Sequence, residues 1–349
     1  MKKYYINGRA FTQRLTGVQR FTRESIKELD KICTAGEIYI VLPKWADIEE
    51  ESLEYRKIRI VRYGTLKGNL WDQISFYNYV KRQKGVIINL TNVVTIRKPD
   101  ISTIHDLTYV KYKQYHTTIY GKISAFFHGL QFRAAIKKGM KILTVSNFSK
   151  KEIIEYYNYK ADKIYCVGSG YEHILKCKAD YDIIDKLSLA GTSFIFSLGS
   201  IEKNKNFKWI YEVAKRNPEY IFVIGGGSAK NHAEELNPEN IENILFTGYI
   251  SDDEIAALYI RCKAFIFPST YEGFGLPPLE ALALGCDVIC SSVASMPEIY
   301  KNSVHWIDPT KYNYNIDEVL SSSTNGKEEI LNYYTWKNTA KRIYEAIHS

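Results

Sequence analysis

The 349-residue chain has only six cysteines, Cys33, Cys166, Cys177, Cys262, Cys286 and Cys290, and no two of them form a C-x-x-C pair. Zinc-ribbon and dithiol redox motifs are therefore excluded, and the cysteines read as reduced core residues of a cytosolic protein. No run of about 18 apolar residues occurs, so no transmembrane helix is expected. The opening MKKYYINGRAF has two lysines but no apolar region of about 7 to 15 residues after them, which reads as a first strand and not as a secretory signal. That strand is followed by NGRAFTQRLTG and not by G-x-G-x-x-G, which argues against a dehydrogenase. Neither H-E-x-x-H nor a D-x-D at a strand end is present, so no obligatory metal is expected. Zinc-finger, RRM and homeodomain patterns are missing too, and nucleic acid is not an expected partner.

What is present is an ordinary globular composition, 45% apolar and 25% charged, in a chain long enough for two domains. Charge is unevenly shared. Residues 1–180 hold 32 Lys and Arg against 17 Asp and Glu, a net of +15, whereas residues 181–349 hold 15 against 22, a net of −7. The first half could face an anionic surface, or the charge could serve only solubility.

Short β-branched and aromatic runs alternate with helical stretches throughout. In the first half the strands are expected at 3–6, 38–42, 58–63, 86–90, 101–105, 141–145 and 163–167. In the second half they are expected at 194–198, 220–224, 244–246, 264–268, 287–290 and 304–307. Helices are expected between them, two opening with the capping boxes Ser149-x-x-Glu152 and Ser251-x-x-Glu254. Strand and helix in repetition imply α/β architecture with parallel sheets covered on both faces. The charge sign and the strand pattern both break near 170–185, and YTWKNTAKRIYEAI (334–347) reads as a closing amphipathic helix.

Ligands of open parallel sheets bind beyond the carboxyl ends of the strands. Two such exits carry chemistry. FSLGSIEKNKNF (196–207) leaves a strand through Gly199 and delivers Lys203 and Lys205 before a helix. AFIFPSTYEGFGLPPLEAL (264–282) turns at Gly273 and Gly275 and enters a helix with Pro277 or Pro278 at its first position. The amides of Gly273, Phe274, Gly275 and Leu276 at that helix start favour an anion such as phosphate, and Lys205 can meet the same group as a point charge. A carboxylate beside diphosphate is repelled, so Glu272 and Glu280 are expected to face neutral sugar or ribose hydroxyls, at roughly 1.5 to 3 kcal/mol per charge-assisted bond. Equally open from the residues alone is a structural pair, with Glu280 serving the helix dipole and Glu272 in solvent. His105, at the end of ISTIH, is by itself as compatible with a structural hydrogen bond as with catalysis. Asp106 fits a loop-orienting role, and His116, His128 and His173 receive none.

Glu272 and Glu280, with PST-x-EGFGLPPLEA around them, resemble the E-x7-E signature of the retaining glycosyltransferases of family 4. SLGS-x-E-x-x-KN is similar to that family's phosphate loop, TGYIS to its nucleobase loop and TWKNTA to its crossover helix. LTGVQRF, TIHDL and TVSNFSKKEI resemble segments of its bacterial polysaccharide and O-antigen branch. The resemblance implies an α/β GT-B fold, two Rossmann-like doubly wound parallel-sheet domains facing a central cleft. Residues 1–178 would form the acceptor-binding domain, 179–333 the nucleotide-sugar domain, and 334–349 a crossover helix packing back on the first.

By the same resemblance Glu272 would touch the donor sugar and Glu280 the ribose. Phe274, Gly275 and Leu276 would hold phosphate or sugar through their amides, Lys205 the diphosphate, and Ile250 the base through its backbone. Gly17 would let the first loop approach the diphosphate, and His105 would face the transferred sugar. Ser200 and Asn204 stand in the donor loop where relatives carry arginine, which leaves Lys205 with more of the leaving-group charge. The usual Asn-Gly-x-Asp before the linker is replaced by Gly168-Ser-Gly-Tyr-Glu172.

The activity implied is transfer, with retained configuration, of a hexose or deoxyhexose, mannose-like by preference. The donor is a GDP-, UDP- or dTDP-linked sugar with no tightly bound cofactor and no metal, and the acceptor a hydroxyl of a growing, polyprenyl-diphosphate-linked glycan. The basic first half, with LTGVQRFTRE and the stretch 109–122, would lie on an anionic membrane at the cytoplasmic inner face. A nucleotide-sugar 2-epimerase of the same architecture and a donor-binding partner without turnover are the alternatives.

Overall fold

The central strands of the first half are buried on both faces, which is why they read as continuous apolar runs and not as alternations, whereas the edge strand Arg59–Arg62 is only partly buried. A computed structural model describes residues 2–48, 54–112, 118–200, 202–226 and 241–349. Among these, β1 (Tyr4–Asn7), β2 (Ile38–Leu42), β3 (Arg59–Arg62), β4 (Val86–Asn89), β5 (Ile101–Thr103), β6 (Lys141–Thr144) and β7 (Ile164–Cys166) form one sheet. Its order is β3-β2-β1-β4-β5-β6-β7, and every pairing is parallel. β8 (Phe194–Leu198), β9 (Ile221–Gly225), β10 (Ile244–Gly248), β11 (Ala264–Phe267), β12 (Val288–Ser291) and β13 (His305–Ile307) form a second parallel sheet. Its order, β10-β9-β8-β11-β12-β13, is that of the doubly wound dinucleotide-binding fold.

The chain divides into two units. Met1–Gly170 and Trp336–Ser349 form the first, Tyr171–Thr335 the second. The expected divisions lay at 178/179 and 333/334. The closing helix Trp336–His348 buries Trp336, Thr339, Ala340, Ile343, Ala346 and Ile347, spaced to make one face. That face meets helix Gly17–Ile32, where Phe21 lies edge-on to Trp336 with ring centroids 6.2 Å apart. Tyr4 Oη donates to the Ile347 carbonyl at 3.0 Å and Lys141 Nζ to that of Ala346 at 2.7 Å. The core of the second unit centres on Trp209, Ile210 and Val213 of helix Phe207–Ala214, packed on Ile195, Phe222 and Ile266 of the sheet.

Local expectations are corrected in three places. Helix Asn147–Tyr157 is capped by Ser146, whose hydroxyl accepts from Ser149 N, so the box at 149 does not form. Ser149 Oγ instead donates to the His105 carbonyl at 3.0 Å, and Glu152 pairs with Lys111. The first turns after Leu70 are π-helical over Trp71–Phe76. Cys166, Cys177 and Cys262 are only half-buried, while Cys33, Cys286 and Cys290 lie in the core. At 251 the box is present, with Glu254 N donating to Ser251 Oγ and Ser251 N to Glu254 Oε2.

Candidate active site

In the second sheet the chain runs from β8 outward through β9 and β10, then returns to place β11 on the other flank of β8. The loops leaving β8 and β11 therefore diverge at a switch point, where doubly wound sheets open a crevice. Lys205 comes from the first loop and Glu272 from the second. Lys205 Nζ lies 2.6 Å from Glu272 Oε1, with both side chains mostly buried, 17% and 14% exposed. Phe267, the last residue of β11, presents its ring 5.5 Å from the same ammonium. A short, charge-assisted, poorly solvated contact of this kind has stronger Coulomb attraction than a surface pair, set against the cost of desolvating both ions.

Several polar residues hold the two loops together. Asn204 is buried; its Nδ2 donates to the Tyr271 carbonyl at 3.1 Å and its own carbonyl accepts from Thr270 N at 2.7 Å. Its Oδ1 is buried without a hydrogen-bond partner, an acceptor left for a ligand or water. Asn206 takes the left-handed conformation, φ 54°, before helix Phe207–Ala214 and donates to the Pro268 and Pro309 carbonyls at 3.2 and 3.0 Å. Ser200 is exposed at the start of the loop.

The corner after β11 is fixed from behind. Ser295 Oγ donates to the Glu272 carbonyl at 2.9 Å, and Tyr300 Oη donates to that of Gly275. Phe274 is buried edge-on to Tyr334, ring centroids 5.2 Å apart. Gly275 has φ +80°, and a Cβ there would sit 2.7 Å from Met296 Cε. Helix Leu276–Ala283 begins at Leu276, so Pro277 occupies its second position and not its first. Pro277 and Pro278 carry no N–H. Among the described residues the N–H groups of Phe274, Gly275 and Leu276 have no protein acceptor. Three unpaired donors at a helix N-terminus, beside an ammonium, are chemically able to receive an anion.

A row of glycines lets main chain pack against main chain at the ends of β8, β9 and β10. Gly199 N donates to the Gly225 carbonyl at 3.1 Å and Gly226 N to that of Gly248 at 2.8 Å. Gly226 has φ +95°, and any Cβ there would lie 2.4 Å from the Gly199 carbonyl oxygen. Ile250 buries its side chain against Gly225, while its N–H and C=O have no protein partner among the described residues.

Glu280 lies elsewhere in the helix from where a cap would be, on its second turn, and is 7% exposed. Its Oε1 meets His173 Nε2 at 2.8 Å and its Oε2 accepts from Tyr259 Oη at 3.3 Å. Burial and the Glu280 charge push the Tyr259 phenol well above its ordinary pKa, so it stays a donor. The sequence assigns His173 no role, and Tyr259 carries no motif that marks it. Glu172-His173, where the strand pattern breaks, was the available signal.

In the first unit, Gly17 opens helix Gly17–Ile32 with nothing within 4 Å of a Cβ built there, so packing does not demand glycine at this position. His105 follows β5 and is buried; its Nε2 lies 3.0 Å from the Leu90 carbonyl and Phe21 packs edge-on at 4.8 Å. Asn92 Oδ1 accepts from its backbone N–H at 3.0 Å. Burial lowers its pKa to about 4, which keeps the ring neutral near pH 7, with Nε2–H donating and Nδ1 an acceptor. Asp106 Oδ1 accepts from Thr108 N at 2.8 Å, a loop-orienting bond. His128 stacks on Tyr109, and His116 lies outside the described residues, as do residues 113–117 of the stretch 109–122. Among the described residues no group of three or more His, Cys, Asp or Glu is placed to hold a metal ion.

Comparison with known proteins gives this geometry its context. The chain is 28% identical over 229 residues to the O-antigen chain mannosyltransferase B of Escherichia coli, a match covering 60% of this chain and 57% of that protein. The chain thus spans little more than half the length of that curated relative. Two solved structures share the fold over almost the whole chain. Sucrose-phosphate synthase from Thermosynechococcus elongatus has a TM-score of 0.76 at 17% identity, covering 99% of this chain and 98% of its own. Anabaena Alr3699/HepE in complex with UDP-glucose has a TM-score of 0.73 at 15% identity, covering 100% and 99%. Both α/β units therefore belong to a GT-B fold. The model of the family described as glycosyl transferases group 1 matches residues 182–337, the span that carries β8 to β13, Lys205, Glu272 and Glu280.

Proposed function

We propose that the chain is a retaining glycosyltransferase that moves a hexose or deoxyhexose, mannose by preference, from a nucleotide-diphosphate sugar to a hydroxyl of a growing glycan. The observation that carries the reading is the pairing of Lys205 with Glu272 beside the open amides of Phe274, Gly275 and Leu276. On this reading the amides and Lys205 hold the diphosphate, and Glu272 releases Lys205 to orient a sugar hydroxyl. Glu280, held by His173 and Tyr259, offers remaining lone pairs to the ribose. Ile250 meets the base through its unpaired N–H and C=O, and Asn204 Oδ1 and Ser200 line the same loop. Gly17 and His105 keep the donor roles that the resemblance implies, His105 as a neutral acceptor at Nδ1.

Breaking the glycosidic bond places charge on the departing diphosphate, where preorganised donors act most strongly; one such donor is commonly worth about 3 to 4 kcal/mol. The leaving phosphate takes the acceptor's proton, so no separate nucleophile is required. The name of the curated relative favours mannosyl transfer to an O-antigen chain over 2-epimerisation, and the UDP-glucose complex of the fold neighbour supports a nucleotide-sugar donor. The acceptor is read as lipid-linked and the first unit as its membrane-facing part. No helix among the described residues is long and apolar enough to cross a membrane, so contact would be peripheral.

A thermal-shift panel of UDP, GDP and dTDP tests the donor, because only a true ligand raises the melting temperature by mass action. Release of nucleoside diphosphate that depends on added acceptor then separates transfer from epimerisation and from binding without turnover. No shift with any of the three would overturn the reading.

A further inference from the structure

Helix Ile119–Lys138 departs from the usual pattern of a surface helix in being apolar on both sides. Its inner side buries Ala125, Phe132 and Ala135, and Phe132 and Ala135 pack with Val110, Ile142, Ile153 and Ile164 in a core of the first unit. Its outer side carries Ile119, Ile123, Phe126 and Leu130, which are 79%, 62%, 68% and 39% exposed. The spacing of four, three and four residues places them in one stripe over three turns, about 16 Å long. Together they expose apolar surface on the order of 500 Å², the size at which a patch marks an interaction site. Farther along the same side stand Arg133 and Lys137, with Lys138 and Lys122 beside the stripe, all exposed. The 20-residue helix contains no Asp or Glu.

Charge decides between occupants. The unit that holds this helix carries 33 Lys and Arg against 16 Asp and Glu, a net of +17. A second copy docked on the stripe would bring four cations of like sign against these four, which repel. A polar groove-seeking partner does not match side chains that protrude. A bilayer with anionic headgroups satisfies both features, since apolar side chains enter the acyl boundary while lysine and arginine stay at the phosphates.

We propose that the outer face of helix Ile119–Lys138 docks on an anionic lipid bilayer, with Ile119, Ile123, Phe126 and Leu130 inserted and Lys122, Arg133, Lys137 and Lys138 at the headgroups. The inference deepens the membrane-facing part of the proposed function and rests on that reading only for the nature of the acceptor. Vesicle binding needs neither donor nor acceptor, so the two fail separately. Basic residues near an anionic surface each add attraction that salt screens, whereas insertion of apolar side chains persists.

The full chain is sedimented with vesicles of phosphatidylglycerol and phosphatidylcholine, and with phosphatidylcholine alone, at low salt and at about 0.5 M salt. The protein is expected to bind the anionic vesicles. A variant combining Ile123→Glu and Phe126→Glu should bind at least tenfold more weakly, and one combining Lys137→Glu and Lys138→Glu should lose the salt-sensitive part. All four positions are exposed, so both variants should keep the parent's melting temperature and its shift with nucleoside diphosphate. The proposal is overturned if the parent ignores anionic vesicles, or if the Ile123→Glu/Phe126→Glu variant binds them as well as the parent. It is equally overturned if light scattering shows a parent dimer that this variant makes monomeric with vesicle binding unchanged. Vesicle binding without any nucleotide shift would sink the transferase reading and leave this one standing.

Discussion

Replacing Glu272 by Gln should change two measurable quantities in opposite directions. In the ligand-free site the carboxylate holds Lys205 at 2.6 Å, so a diphosphate has to compete for that ammonium. The same carboxylate also repels the diphosphate once it is bound. Two unit charges about 5 Å apart repel by roughly 1 to 3 kcal/mol at effective dielectric constants of about 80 to 20. With the pair about one-sixth exposed, a net gain near 1.4 kcal/mol follows for Glu272→Gln, or about tenfold tighter binding of the free nucleoside diphosphate. Sugar transfer should fall on the order of a hundredfold, because the amide cannot accept a sugar hydroxyl's proton with a full negative charge. Lys205→Ala should instead weaken both binding and transfer. Calorimetric titration of the nucleoside diphosphate found in the thermal-shift panel, alongside its acceptor-dependent release, reads the two effects separately. If Glu272→Gln binds that nucleoside diphosphate less tightly than the parent, the carboxylate does not compete with the phosphates, and the placement of the leaving group beside Lys205 is wrong.

Three further outcomes follow from particular contacts. His173→Ala leaves the buried Glu280 with only the 3.3 Å contact to Tyr259, so thermal stability should drop by about 1 to 3 kcal/mol and the donor KM should rise, with His173→Gln restoring part of both. His105 has a folded pKa of about 4, below its unfolded value near 6.5. Its contribution is therefore complete above pH 6.5 and lost as pH falls toward 4, up to about 3 kcal/mol, and His105→Asn should flatten that part of a stability-versus-pH profile measured by denaturant unfolding. Gly226→Ala should destabilise the second unit by more than about 2 kcal/mol, because its φ of +95° is strained for alanine and the new Cβ meets a carbonyl oxygen at 2.4 Å. Gly191→Ala, at φ +72° with open space around it, is the control and should cost only the smaller conformational part. Equal losses for the two would refute the close-approach argument.

Much of this was legible because the information is local. Two-faced burial makes most of the parallel strands β-branched or aromatic runs, and all thirteen strands, the partly buried edge strands Arg59–Arg62 and Ile244–Gly248 included, stand within a residue or two of their expected places. The glycine and proline corner with Glu272, and the lysine loop before Phe207, are likewise continuous stretches whose turn chemistry shows in the letters. The capping box at 251 formed because Ser251 and Glu254 need only each other. That at 149 did not, because the Ser149 hydroxyl found the His105 carbonyl and Glu152 found Lys111, residues 44 and 41 positions away.

What the amino-acid sequence determined by itself was the succession of elements, the switch-point loops and the residue types able to meet phosphate and hydroxyl. Only the tertiary structure decided their partners. It joined Lys205 to Glu272 across 67 positions and His173 to Glu280 across 107, and it left Ile119, Ile123, Phe126 and Leu130 uncovered. Periodicity reports which side of an element is apolar; whether that side meets a core, a carboxylate or nothing depends on how distant segments pack, and local spacing holds no record of that.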